Sequence, residues 1–167
     1  DIPGDILVSF LNVYVSIRMM RKLNFLIVLF VVFLFTGCLN FGQNIETTTP
    51  TDAQVKRCRS EMYLEPAVKI IPLGFKLEGS GIDDAIWFKF RTASSDLTEI
   101  FDSKVVDISK FKNGFTFPYE VNNLKWWDVK GKQLYGGQME LPNVRFMNIG
   151  AEKIKEGYII YIMWQEV

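Results

Sequence analysis

Two thiols, one pair of adjacent carboxylates and one pair of adjacent indoles are the residues of this 167-residue chain whose types and spacing could do chemistry. The thiols are Cys38, at the end of a run of large apolar residues, and Cys58, inside the basic stretch "KRCRS". Lys56, Arg57 and Arg59 would favour a Cys58 thiolate, the reactive form of a cysteine. In an oxidising compartment an odd cysteine can also pair with another chain, and the plainer alternative is a buried, shielded thiol. Asp83 and Asp84 could hold a cation or share a proton, but neighbours on a strand point to opposite faces. With no ligand ladder following them, as a calcium loop requires, they read as turn residues. "GSG" at 79–81 is too short for a phosphate cradle. Trp126 and Trp127, with Tyr135 nearby, form the candidate partner-binding set. On a strand one of two successive tryptophans must point away from the core. An exposed indole there could stack on a glycan or anchor a protein; burial of both is the alternative.

The chain contains no histidine. That removes the commonest general base near neutral pH and the commonest metal ligand, so a Ser-His-Asp or Cys-His site cannot be built in the usual way. No catalytic residue, metal site or cofactor is expected. The 19 basic and 19 acidic residues balance, and no basic face is dense enough for nucleic acid, which is not expected as a partner.

The setting of Cys38 is more specific. Arg21 and Lys22 precede the apolar run "FLIVLFVVFLF" at 25–35, and small residues follow. A charged n-region, an apolar h-region and a small-residue exit are the parts of a secretory signal. The run is too short to span a bilayer, which needs about 20 apolar residues. Its end, Phe35-Thr36-Gly37-Cys38, resembles a bacterial lipobox, with Phe35 where Leu is usual. That resemblance implies cleavage before Cys38 and acylation of its thiol with diacylglycerol and palmitate-type chains. Each buried methylene of such an anchor contributes about 0.8 kcal/mol.

The expected organisation follows. Residues 1–19 are an upstream extension, with Met19 or Met20 the natural start; an additional membrane segment is the rival reading. Residues 20–37 are the signal peptide. Residues 38–56 are the lipidated cysteine and a flexible tether rich in threonine. Residues 57–167 are the globular domain. Anchoring by the acyl chains makes the membrane a partner and places the domain in the periplasm; Leu39 after the cysteine favours the outer membrane over the inner one.

Within the domain, Lys69–Glu78 is expected to be extended, with Pro72 marking an edge or a bend. "AIWFKFR" at 85–91 alternates, Ile86, Phe88 and Phe90 one way and Trp87, Lys89 and Arg91 the other, as a half-buried strand does. "GSGIDD" supplies the turn between these two strands. "SSDLTEIFDSKVV" reads as a short helix capped by Asp96. "LKWWDVKGKQLYGG" reads as a strand and a turn, and the C-terminal stretch as a hairpin turning at Glu156-Gly157. "YIIYIMW" at 158–164 is apolar on both faces, which predicts a central strand. The fold class is therefore α+β: a small, mainly antiparallel sheet with one short helix packed on it.

"KWWDVKGKQLYGGQMELPNVRFMNIG" and "GYIIYIMWQEV" together resemble small enterobacterial lipoproteins of the YafY/YfjS type. The resemblance implies an envelope lipoprotein, with inner-membrane anchoring possible. The leading expectation is a non-enzymatic, lipid-anchored protein binding another envelope component, protein or glycan. The alternatives are an inhibitor or immunity lipoprotein that blocks a toxic or lytic enzyme, and a hydrolase using carboxylates alone, which needs two of them facing across a cleft.

Overall fold

The computed structural model describes residues 42–80, 83–118, 121 and 124–166. Residues 1–41, with the expected extension, the expected signal peptide and Cys38, lie outside them. The described residues form an α+β domain, mostly sheet. Seven antiparallel strands lie in the order β1-β2-β3-β7-β6-β5-β4. They are β1 (Asn44–Thr47), β2 (Ile70–Gly79), β3 (Asp84–Thr92), β4 (Lys112–Phe115), β5 (Leu134–Leu141), β6 (Arg145–Ile154) and β7 (Gly157–Glu166). Two meanders, β1–β3 and β4–β7, join where β3 pairs with β7.

β7 is central, as its unbroken apolar run predicts, and Ile160, Tyr161, Ile162, Met163 and Trp164 are all buried. β3 follows its predicted alternation: Ile86, Phe88 and Phe90 enter one cluster and Trp87 the other. It is not half-buried, however. Lying between β2 and β7, it is covered on both faces from Ile86 to Phe90. β2 shifts register between Pro72 and Gly74, because Pro has no N–H for the ladder. The 80–83 turn closes on Ser80, whose Oγ donates to the Asp83 carbonyl and accepts from the Asp83 N–H.

Two expectations are corrected. The folded domain does not begin at 57. β1 pairs with Phe75–Glu78, and the one α-helix, α1, spans Asp52–Glu61, both drawn largely from the expected tether. A capping box starts α1: the Gln54 N–H donates to Thr51 Oγ1, and Gln54 Oε1 accepts from the Thr51 N–H. This polar helix buries only Cys58 and is fastened by ion pairs, Arg57 to Asp84 at 2.6 Å and Glu61 to Arg145 at 3.0 Å.

The second correction is the expected helix after Asp96. Its cap does form, with the Thr98 N–H donating to Asp96 Oδ1 at 2.8 Å, yet only a 3-10 turn, Leu97–Glu99, follows. Asp102 and Asp107 capture further N–H groups, of Lys104 and Ser109. Repeated local side-chain bonds of this kind compete with a continuous helix. The backbone is also drawn into pairing: Glu65 donates to Ile100 and Asp102 to Tyr63, around a Leu64–Phe101 bridge. Leu97, Ile100, Phe101 and Val106 still reach the core, at the same face of the sheet as Cys58 and Met62.

Candidate functional site

The opposite face of the sheet carries the densest polar chemistry. One row across five strands reads Gly74, Lys89, Tyr161, Gly150, Gly136. The described residues of the 116–133 connection from β4 to β5 supply the side chains that cover it; connections are usually about 4–6 residues. Glycine in this row makes room for the covering rings. A Cβ on Gly74 would sit 2.2 Å from the Trp126 indole, and one on Gly150 would sit 3.0 Å from the Phe117 ring. Trp127 packs edge-on against Phe117, Trp126 and Tyr161, with centroids 5.1, 5.7 and 5.6 Å away.

Charged groups tie the covering segment to the row. Lys89 is only 8% exposed. Its Nζ donates to the Trp126 carbonyl at 3.0 Å and to Asp128 Oδ1 at 2.5 Å. Tyr161 Oη lies 3.0 Å from Asp128 Oδ1 and 3.2 Å from Glu152 Oε2. Lys132 Nζ completes the group, 2.6 Å from Glu152, 2.9 Å from Tyr161 Oη and 3.2 Å from Asp128. Both ammonium groups also lie over the Tyr161 ring, a favourable placement against its negative face.

Protonation in this group is set by competition. Burial alone would raise the Asp128 carboxyl; hydrogen bonds from Lys89 and Tyr161, with the Lys89 charge, outweigh it and hold Asp128 at about 2. Burial opposes the Lys132 charge, but its bonds to Glu152 and Tyr161 prevail and raise it above the ordinary lysine value. Burial pushes the Tyr161 phenol up against the opposing bond from Lys132, and the Asp128 charge adds to the rise. Near neutral pH Asp128 has no proton to give and Tyr161 none to lose readily. Among the described residues, Asp96 and Asp107 are held below the usual carboxylate range as Asp128 is, chiefly by hydrogen bonds from Thr98 and Ser109. The arrangement is suited to holding the 116–133 segment in place.

Of the candidate partner-binding residues, Trp126 and Trp127 pack against each other and Tyr135 lies apart from them. Trp126 and Trp127 lie in a turn rather than on a strand, so the rule of alternate sides does not govern them. Both indoles turn toward the sheet. Trp127 is 5% exposed and has no open ring face for a sugar; Trp126 is half-buried over Gly74. Tyr135 sits on the other face, edge-on to Phe111 at 5.7 Å. Sequence reading missed Lys89, Asp128, Lys132, Glu152 and Tyr161 as a group. The one local signal was a lysine at the centre of an apolar strand.

Cys58 is fully buried and unpaired. Burial outweighs the neighbouring Arg57 charge and pushes its thiol up to about 12, so the basic flank does not yield a thiolate. Asp83 and Asp84 serve the turn and the Arg57 ion pair, as the turn reading expects. Among the described residues no group of three or more His, Cys, Asp or Glu could hold a metal, and no helix is long and apolar enough to cross a membrane.

A cavity of about 470 Å³ opens at the end of the sheet where β2 begins and β3 ends, lined by Ala67, Val68, Lys69, Thr92–Ser94 and Glu99. That volume is in the range of small-ligand sites. Its lining is largely apolar and includes the charged Lys69 and Glu99; Ser94 Oγ donates to Glu99 Oε2 at 2.7 Å. Comparison with protein-family models, curated proteins and solved structures found no match.

Proposed function

We propose that this protein is a lipid-anchored component of a bacterial cell envelope whose domain binds another envelope component without transforming it. The observation that carries the reading is the order Arg21-Lys22, apolar run, Thr36-Gly37-Cys38 immediately ahead of a chain that folds from Asn44 onward. Binding without catalysis is supported by the loop-face charges, which satisfy one another beneath a packed segment. The cavity at Ala67–Lys69 and Thr92–Ser94 is the surface assigned to the partner, in place of the covered indoles.

Intact mass of the protein extracted from bacterial membranes tests the anchor. A mass equal to Cys38–Val167 plus acyl chains, lost in Cys38→Ala, is expected. An unmodified chain that retains the apolar run overturns it. Ala93→Trp, an exposed position at the cavity, is expected to abolish crosslinking to the partner in cells while leaving thermal unfolding unchanged. Undiminished crosslinking removes the cavity as the binding surface.

A further inference from the structure

The strand registers collect several features at one end of the sheet. Asn44 pairs with Glu78, Gly79 with Asp84, Ala85 with Gln165, Arg145 with Glu166 and Leu141 with Arg145. The chain therefore enters β1 at the same end as the 80–83 and 142–144 turns. The cavity at Thr92–Ser94 is at the opposite end, because Ile70 pairs with Thr92 and Thr92 with Tyr158.

We propose that the entry end of the sheet rests on the bilayer holding the acyl anchor, with the Pro142–Val144 turn as its contact. The inference rests on the reading of Cys38 as lipidated. Cys38 and Asn44 are six residues apart, and a chain of that length reaches at most about 20 Å. The ten-residue strands β2, β6 and β7 are about 30 Å long at the ordinary rise per residue. The anchor thus holds the entry end near the membrane and leaves the cavity end facing away.

The turn itself suits a lipid surface. Val144 is 65% exposed, and with Asn143 it has positive φ, 55° and 64°. Such turns favour Asn and Gly; a β-branched residue held there is strained. Gly would relieve that strain and would remove the exposed apolar side chain. Pro142, Asn143 and Val144 carry no charge. The next residue, Arg145, is engaged, its Nε donating to the Pro142 carbonyl and its guanidinium pairing with Glu61. One valine is too small to recruit a protein from solution. On an anchored chain the contact is intramolecular, at an effective concentration near millimolar, and a weak contact then suffices to set orientation. Glu78, Asp83, Glu140 and Glu166, exposed at the same end, keep the contact at headgroup depth.

The test uses the acylated full chain in vesicles of phosphatidylethanolamine and phosphatidylglycerol carrying headgroup spin-labelled lipid. A polarity-sensitive fluorophore is attached to Val144→Cys, to Asn143→Cys as a second probe of the same turn, or to Lys155→Cys at the opposite end; buried Cys58 is spared. Circular dichroism confirms folding of each variant. Quenching at 143 and 144 several-fold stronger than at 155, with a blue-shifted emission, is expected. Equal quenching at both ends, or stronger quenching at 155, in acylated protein overturns the orientation alone. Protein whose mass shows no acyl chains, and which does not float with the vesicles, overturns the anchor and the orientation together.

Discussion

On the face under α1, the core is closed by side chains that need nothing but shape: Met62, Phe88, Phe90, Ile100, Ile149 and Ile162 are buried there without a charge among them. On the opposite face the cover is the irregular 116–133 segment, and it is held by Lys89, Asp128, Lys132, Glu152 and Tyr161 as much as by rings. A segment whose described residues form no helix or strand must satisfy its backbone and polar groups elsewhere. The polar row does this through Lys89, whose Nζ donates to the Trp126 carbonyl and to the Asp128 carboxylate. Apolar burial therefore secures one face, and polar anchoring fixes the position of the other.

Breaking the first face has the largest expected effect. Phe88→Ala should lower stability by about 3–5 kcal/mol, the usual cost of emptying a packed aromatic site, read by urea unfolding. A loss below about 1 kcal/mol would remove the contrast between the faces. Asp128→Ala leaves Lys89 buried with only a carbonyl partner. Because Asp128 is itself half-exposed, the loss should be about 1–3 kcal/mol, below the range for fully buried pairs. Tryptophan fluorescence should report release of the 126–127 indoles before global unfolding; a single coincident transition would show that the two faces do not separate. Gly74→Val places side-chain atoms inside the Trp126 ring and should cost about 1–3 kcal/mol, in the manner of overpacking, with the same fluorescence change.

Acid should act on the loop face first. The Asp128 carboxyl sits lower in the fold, at about 2, than the roughly 3.9 of an unfolded aspartate. Its contribution is present above the unfolded value and is lost as pH falls from about 4 toward 2. Indole emission followed across that window should change in the native protein and not in Asp128→Asn. Thr51→Ala, which removes the α1 cap, is expected to have the smallest effect, about 1 kcal/mol, and to leave the indole signal unmoved.

Much of the sheet was legible because its signals are local. Ile86, Phe88 and Phe90 alternate within one strand, residues 158–164 are apolar throughout, and "GSGIDD" and Glu156-Gly157 mark turns, the second one residue past the observed 155–156. α1 was missed although Thr51 and Gln54 carry a capping signature, because threonine and proline around them resemble a linker and the helix has almost no apolar stripe. The helix expected after Asp96 failed for the converse reason: an apolar periodicity was present, but Asp102 and Asp107 began new turns.

The sequence alone determined the alternating and all-apolar strands, the caps and turns, and the absence of histidine, since each depends on residues within a few positions of one another. Only the tertiary structure decided that Cys58 is sealed from solvent, that Trp126 and Trp127 turn inward, and that Tyr135 lies on the other face. It also assembled the row of Gly74, Lys89, Tyr161, Gly150 and Gly136, whose members come from five strands and share no spacing along the chain. Strand order and register, set by burial over the whole sheet, bring those residues together.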